Sequence, residues 1–466
     1  MDLVPPPEHS PTRAELEVTT LGPRAYGSPL AGLLAGRRTT EHYVAEDDRV
    51  LLDDTVSALA AHEGLADLPS FEPGGPRRRL FFDPRTVRAG IVTCGGLCPG
   101  LNDVIRALTL ELTTHYGVRR VLGFRDGFRG LVPRYGLSPV ALTLESVSGI
   151  GESGGSVLGS SRGEQDPEEV VDTLQRWGID VLFVVGGDGS MRGALRIAEC
   201  ARSRGAAIAV VGVPKTIDND IPFIEQSFGF QSAYAAAAEA IRAAHVEARS
   251  APAGVGLVKL MGRHSGFIAC YAALAHRGAD VVLIPEVPFA LDGEGGLLDH
   301  LHRRVRDQGH AVVVVAEGAG QEYLPASRQR DASGNAKLGD VGVLLRDRIQ
   351  ESFARKGEEL NLRYIDPSYA IRSVPANAYD SVYCMRLAHT AVHAAMAGRT
   401  AIVVGRWRGR FVHVPIPLAV SARNTVAPDG DLWLAVLEAT GQPPRLGPPL
   451  LEPLPAQWNT PAVRTA

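Results

Sequence analysis

From Val87 onward, short unbroken apolar runs alternate with stretches whose apolar residues recur every three or four positions. "VRAGIVTCGG" (87–96) precedes "LNDVIRALTLELTTHYG" (101–117), and "IDVLFVVGGDGS" (179–190) precedes "MRGALRIAECARSRG" (191–205). "AIAVVGVPK", "GVGLVKLMGR", "ADVVLIPEVPF", "HAVVVVAEGAG" and "TAIVVGRW" continue the series, with "HSGFIACYAALAHRG" and "LLDHLHRRVRDQGH" as helix-like spacers. Apolar runs that do not alternate with polar residues predict strands buried on both faces, and their alternation with helices predicts parallel sheets covered on both sides. Roughly 380 residues of this pattern exceed one typical sheet. The expected fold is therefore α/β: two doubly wound Rossmann-like domains with mainly parallel sheets and a cleft between them.

The first 80 or so residues lack this rhythm and carry many prolines, as in "VPPPEHSP" and "FEPGGPRRRLFFDP". They are expected to form an extension that packs on the core, with a loop near Pro73–Pro76. The basic triplet Arg77–Arg79 is expected on a solvated face. Composition narrows the class. The 466 residues are 45% hydrophobic and 21% charged with a net charge of −4, an ordinary globular balance with no basic field for nucleic acid or acidic membrane. Five cysteines form no disulfide framework and fit reduced thiols. Cys94 and Cys98 lack the partners of a zinc set and read as buried small hydrophobes. The N-terminus has no basic region ahead of an apolar one, and no apolar run approaches the ~18 residues of a membrane span. A soluble, cytoplasmic protein is expected.

Candidate chemistry gathers where strands end, which in doubly wound sheets is where ligands bind. "IAVVGVPKTIDNDIPF" (208–223) runs from an apolar strand into Lys215, Thr216, Asp218 and Asp220. In extended chain the two aspartates would share a face. "CGGLCPGLN" (94–102) and "GGDGS" (186–190) are glycine loops between strand and helix, whose backbone N–H groups can close on phosphate oxygens. Neither is a Walker A loop or a dinucleotide fingerprint, which disfavours a dehydrogenase. Asp188 among phosphate-binding amides calls for an intervening cation such as Mg2+, or else it caps the following helix. Arg162, Arg263, Arg363 and Arg372 stand near strand ends beside these loops, and arginine forks suit phosphate. Glu317, after "AVVVV", can accept hydrogen bonds from sugar hydroxyls or is a loop charge.

"CGGLCPGLN", "GGSVLGSSRG", "GGDGS", "PKTIDNDI", "SFGFQSA", "KLMGRHSGFIA", "EGAGQE" and "YIDPSYAIRS" follow one another in the order seen in 6-phosphofructokinases. From about residue 81 to "VAPDGDLWLAVLEATGQP" the chain resembles that family, and within it the long ATP-dependent form of plants and trypanosomatids. The resemblance implies a glycolytic kinase that moves the γ-phosphoryl of Mg-ATP to the 1-hydroxyl of fructose 6-phosphate. It implies a nucleotide-binding domain over 86–229 with 371–421, and a sugar-phosphate domain over 230–370 with 422–466, behind an extension over 1–85. By the same resemblance Asp218 is the base, with Thr216, Ile217 and Asp220 in its loop, and Asp188 holds Mg2+. Gly96, Arg162, Gly163, Gly187, Asp188, Gly189 and Ser190 cradle the nucleotide phosphates, Arg162 near the transferring group. Met261, Gly262, Arg263, Glu317, Tyr369 and Arg372 line the fructose 6-phosphate site. Arg363 reaches it from a neighbouring subunit, which implies a homo-oligomer, dimer or tetramer; an allosteric enzyme is a separate expectation of the same resemblance.

Three departures from the short bacterial group, Leu97, Gly254 and Tyr369, agree with the long group and weigh against borrowing the short group's effector behaviour. The donor rests on Gly189 and Lys215. A pyrophosphate-dependent relative typically has Asp where Gly189 stands and Lys where Lys215 stands, and glycine leaves room for the α-phosphate and ribose of ATP. ATP is the expected donor. The alternatives are a pyrophosphate-dependent enzyme, a kinase of another sugar phosphate such as sedoheptulose 7-phosphate, and a sensor that kept the fold without the chemistry.

Overall fold

The computed structural model describes residues 11–30, 43–62, 64, 67–325, 329 and 337–447. Residues 1–10 and 31–42 of the expected extension, and 448–466 of the expected sugar-phosphate domain, lie outside the described residues.

In chain order the strands begin with β1 (Tyr26–Gly27), β2 (Val50–Leu51), β3 (Ser70–Pro73), β4 (Arg79–Leu80) and β5 (Arg88–Thr93). There follow β6 (Arg120–Phe124), β7 (Val140–Ala141), β8 (Val181–Gly186), β9 (Ala209–Pro214) and β10 (Gly254–Leu260). The last are β11 (Val281–Leu283), β12 (His310–Ala316), β13 (Asn361–Ile365), β14 (Ile402–Trp407) and β15 (Arg410–Pro415). A nine-stranded sheet has the order β2-β3-β15-β14-β9-β8-β5-β6-β7, and a four-stranded sheet has β11-β12-β10-β13. The smaller sheet is wholly parallel. The larger is parallel from β14 to β6 and antiparallel at both margins. Within its parallel stretch β6-β5-β8-β9-β14 the chain adds β6 on one side of β5, and β8, β9 and β14 on the other. The strand order therefore reverses between β5 and β8, the switch point at which such sheets open a crevice.

The apolar runs are buried on both faces by alternation. Val181, Phe183 and Val185 face one core while Leu182 and Val184 face another. Val258, Val312 and Val314 face the first core, and Leu257, Val313 and Val315 a third. The first core is continuous across both sheets. Helix Phe230–Ser250 lays Ala233, Ala237, Ile241, Ala244 and Ala248 into it. The helix sits so close to β10 that a Cβ on Gly254 would lie 2.0 Å from the Ala248 carbonyl oxygen. Helix Ala378–Met396 joins it through fully buried Asp380, whose Oδ2 accepts from Ser232 N and Oγ at 2.7 and 2.6 Å. Besides β6 and the short strands β1–β4 and β7, two longer strands of the sheets are not among the apolar runs. β13 carries Arg363 because it is an edge strand, and β15 pairs antiparallel to β14 with His413 in its middle.

The extension is built into the large sheet, since β3 pairs with β15 and β2 with β3. The expectation of a solvated Arg77–Arg79 triplet is corrected at its first member. Arg78 and Arg79 are exposed, but Arg77 is 1% exposed and its Nη2 donates to Glu72 Oε1 at 2.9 Å. Arg399 Nε donates to the same oxygen at 2.8 Å, and His413 Nδ1 lies 3.1 Å from it. A buried carboxylate on β3 thus gathers charge from three places in the chain, which no local run of sequence displays.

Burial alone would raise the Glu72 carboxyl, but His413 and Arg399 outweigh it and hold the group far below its ordinary value of 4.5. Burial pushes His413 itself toward the neutral form, so near neutral pH the arginines carry the holding charge. A depressed carboxyl contributes stability above its unfolded value that is lost as pH falls. Glu72→Gln should therefore cost roughly 3 kcal/mol at neutral pH, the scale of a broken buried ion pair, and progressively less in acid. Urea titrations at both ends of that range check this; a variant as stable as wild type at neutral pH would remove Glu72 as the anchor of the extension.

Candidate active site

Three loops leave the carboxyl ends of β5, β8 and β9 beside the switch point. Cys94 N donates to Val185 O at 2.8 Å, and Gly95 N to Ser161 O at 3.0 Å. Ser160 Oγ returns a bond to Gly95 O at 2.7 Å. The Gly96 loop and the Arg162–Gly163 loop are thereby laced side by side. Lys215 is buried, and its Nζ donates to Gly96 O at 2.8 Å. A residue considered for donor choice is thus also a clamp on the glycine loop.

After β8, helix Asp188–Ser203 starts with Gly187 as its N-cap and no side-chain cap. Asp188 is not the cap that one reading of the sequence allowed. It sits in the first turn, where the helix dipole favours an anion, and its Oδ1 accepts from Arg192 Nε at 3.1 Å. A Cβ on Gly189 would meet nothing within 4 Å.

After β9, the shared-face expectation for Asp218 and Asp220 is corrected in its cause. The strand ends at Pro214, and Asn219 has φ +56°, so the segment is a turn and not extended chain. Thr216 Oγ1 donates to Asp220 Oδ1 at 3.0 Å and accepts from Asp218 N at 3.1 Å. Asn219 Oδ1 accepts from Ser227 N at 2.8 Å, and Ser265 Oγ donates to Asp218 O at 3.1 Å. This turn still brings both carboxylates to one cavity.

That cavity, of about 710 Å³, takes its lining from both sheets. The large sheet supplies Gly96, Arg162 and Gly163, the Gly187–Ser190 loop, and Lys215, Thr216, Ile217, Asp218 and Asp220. From the small sheet come Met261 and Arg263 after β10 and Glu317 after β12, with Arg372 from the short helix Ser368–Ser373. Gly262 stands between two lining residues without lining the cavity. Its φ of +124° and the Ser265 carbonyl oxygen, 2.5 Å from any Cβ, make it a turn glycine. Tyr369 is 76% exposed, with its ring beneath the Arg372 guanidinium at 4.6 Å. Arg363 is exposed on the edge strand, 3.7 Å from Glu247, and does not line this chain's cavity.

The carboxylates share one electrostatic problem. Burial, then the nearby charges of Asp220 and Glu317, hold Asp218 well above the ordinary aspartate value, with Arg423 and Arg263 pulling the other way. Its Oδ1 is buried with no hydrogen-bond partner among the described residues. Burial raises Glu317 too. The donor set fits Mg2+, which takes oxygen ligands and usually completes its shell with water and substrate phosphate rather than a protein cage. Among the described residues no cluster of three or more His, Cys, Asp or Glu could enclose an ion, while Asp188 offers a single partly exposed carboxylate to the cavity. The lining also includes Arg192, Arg196 and Arg423, which sequence reading missed. Asp188, Arg192 and Arg196 are spaced by four on one helix and could have been read from that spacing. Arg423 comes from a distant loop and had no local signal.

The phosphofructokinase family profile matches residues 88–395. An ATP-dependent 6-phosphofructokinase of Amycolatopsis methanolica is 60% identical over 441 residues, covering 93% of this chain and 96% of that one. The ATP-dependent 6-phosphofructokinase of Trypanosoma cruzi is 44% identical, covering 93% of this chain and 89% of its own. The ATP-dependent 6-phosphofructokinase 7 of Arabidopsis thaliana is 46% identical, covering 91% and 86%. A solved pyrophosphate-dependent phosphofructokinase from Nitrosospira multiformis superposes with a TM-score of 0.63 at 21% identity, over 79% of this chain and 95% of that one. At that identity the likeness speaks for the fold.

The raised Asp218 has a consequence for stability. Above the ordinary value of 3.8 the folded chain keeps a proton that the unfolded chain has lost. The stability tied to this group is complete below that value and declines as pH rises. Asp218→Asn removes the decline, so the ligand-free variant should resist denaturant better than wild type near neutral pH and lose that advantage in acid. Denaturant titrations at the two pH values decide it; a wild type at least as stable as the variant near neutrality would contradict the electrostatic picture of the cleft.

Proposed function

The chain belongs to the phosphofructokinase family, and on that premise we propose that it is an ATP-dependent 6-phosphofructokinase, transferring the γ-phosphoryl of ATP to the 1-hydroxyl of fructose 6-phosphate. The observation that carries this reading is the single cavity in which the Asp188 and Asp218 loops of one sheet face Arg263, Glu317 and Arg372 from the other. A phosphate-binding end and a sugar-binding end meet where the acids stand.

Phosphoryl transfer asks a protein mainly to position reactants and to neutralise charge. Backbone N–H groups of the Gly96 and Gly187–Ser190 loops bind the donor phosphates, with Arg162 and Gly163 beside them. Mg2+, when bound at Asp188, supplies positive charge to the phosphate oxygens. Arg263, Arg372, Met261 and Glu317 bind and orient the sugar phosphate, Gly262 shapes the turn that presents Met261 and Arg263, and Tyr369 stacks on Arg372. Asp218 accepts the hydroxyl proton at its carboxylate. The unpartnered Oδ1 and a proton affinity raised from the aspartate range toward the working pH support this role. The group is protonated in most ligand-free molecules near neutrality, and its ionised form, the one that reacts, is a stronger base than an ordinary aspartate. Thr216 and Asp220 keep the turn in shape. Arg363, exposed and outside this chain's cavity, fits a reach into a neighbouring subunit of a homo-oligomer. Residues 86–229 with 371–421 form the donor domain, which lends Arg372 to the sugar, and 230–370 with 422–466 form the sugar-phosphate domain. No helix among the described residues is long and apolar enough to cross a membrane, and all five cysteines are free and buried, which supports a cytoplasmic location.

Lys215 bonds a backbone carbonyl, so the open space at Gly189 carries the choice of ATP. Asp there would put a second negative charge against the α-phosphate at short range.

Two substitutions test the assignment. Asp218→Asn should lower kcat by ~10²-fold or more and change the fructose 6-phosphate KM far less; near-normal turnover would sink the base. Gly189→Asp should fold normally, because nothing in the protein opposes the new side chain, yet lose roughly 10-fold or more in kcat/KM for ATP. Measured beside it, a wild-type preference for pyrophosphate would overturn the choice of donor.

A further inference from the structure

Arg423 belongs to none of the phosphate or sugar motifs, yet its guanidinium joins two of their carboxylates. Nη1 lies 3.0 Å from Asp220 Oδ2, and Nη2 lies 3.7 Å from Asp188 Oδ2. The segment that carries it, after helix Ile416–Ala419, is stitched to the same walls. Arg192 Nη2 donates to Val420 O at 2.8 Å, just before it. Asn424 N donates to Asp220 O at 2.9 Å, and Asn424 Nδ2 to Ile221 O at 2.8 Å. Val426 N donates to Glu286 Oε1 at 2.8 Å. The side chain is thus delivered to the cleft by fixed backbone on both sides.

The two contacts are unequal. Asp220 is the more buried partner and sits at hydrogen-bond distance, while Asp188 is more exposed, lies further away and already receives Arg192. Without a cation between them, the carboxylates of two neighbouring strand ends would face each other across the cavity at a cost that grows as water is excluded. A planar fork with two separated N–H groups can serve both at once, which a lysine point charge cannot. When a metal-bound donor arrives, its cation needs the Asp188 carboxylate and repels the guanidinium, but it has no claim on Asp220.

We propose that Arg423 is a positioning residue that braces the Asp218 turn through Asp220 and covers Asp188 until the donor's cation takes that carboxylate. This rests on the reading of Asp188 as the metal ligand. Arg423 then acts twice. It keeps the turn of the base in place during transfer, and it lowers the affinity of the empty cleft for a bare divalent ion, because only the fraction of molecules with Asp188 uncovered can bind one.

The test uses the full chain and two variants, Arg423→Gln and Arg423→Lys. Free Mn2+ alone, followed by electron paramagnetic resonance in the ligand-free protein, should bind about 3-fold or more tighter to Arg423→Gln than to wild type. With ATP and fructose 6-phosphate, kcat of Arg423→Gln should fall ~10-fold while the fructose 6-phosphate KM moves less than ~3-fold. Arg423→Lys, with one ammonium to place, should recover much of kcat by serving Asp220 and keep the tighter Mn2+ binding. Unchanged kcat in Arg423→Gln would overturn the bracing role, and unchanged Mn2+ affinity would overturn the cover on Asp188. Asp188→Asn in the same Mn2+ titration separates the two readings. If that control binds Mn2+ like wild type, Asp188 is not the ligand and the parent reading fails. If it loses Mn2+ while Arg423→Gln matches wild type, this inference alone fails.

Discussion

Helix Phe230–Ser250 presses a face of alanines onto β10 at backbone distance and meets helix Ala378–Met396 on its other side. The second helix in turn packs on β9 of the large sheet. The core-facing residues on that path, such as Ala237, Ala244, Ala248, Ala388 and Ala391, are small and fully buried, so the spacing between the sheets has little freedom to change. Because the core is unbroken, the carboxyl ends of β5, β8 and β9 are held opposite those of β10 and β12. A cleft between two sheets could otherwise open at any angle. Here its width follows from Ala–Gly contacts far from any reacting group.

Within the cleft the dominant problem is charge. Asp188, Asp218, Asp220 and Glu317 converge on one cavity, and burial makes their mutual repulsion expensive. The structure answers with arginines drawn from separate segments, at 263, 372 and 423 among others. Lys215 spends its charge elsewhere, on a carbonyl of the glycine loop. Asp218 is left as the least satisfied member, buried and without a hydrogen bond to one oxygen. That is a cost in the empty protein and a readiness in the loaded one, the usual relation between a strained site and its use.

The same logic operates on the far side of the large sheet without chemistry. Glu72 is nearly as buried as the acids of the cleft, but it is surrounded by Arg77, Arg399 and His413. It is therefore ionised and structural, holding β3 and the extension to β15. Two buried acids on one sheet carry opposite shifts because one has its counter-charges at hydrogen-bond distance and the other has them across a cavity.

The sequence alone determined the rhythm of buried strands and helices, because a strand covered on both faces must be apolar at every position. It also located the glycine loops, the acids and half of the arginines of the cleft, because strand ends in such sheets are the places where polar residues interrupt apolar runs. It misjudged whatever depends on partners distant in the chain. Arg77 reads as a surface charge until Glu72 and Pro73 of β3 and the Ala45 carbonyl of the extension accept from its guanidinium. Asp218 and Asp220 meet through a left-handed Asn219 and the hydroxyls of Thr216 and Ser265, not through the period of a strand. β13 and β15 are invisible as apolar runs for different reasons: β13 is a partly exposed edge strand, while β15 is buried from Val412 to Pro415 but carries His413, whose partner Glu72 is remote in sequence. Arg423 could be found only by folding. Ion pairs and counter-charges act through space over a few ångströms, and tertiary structure alone decides which residues share that space.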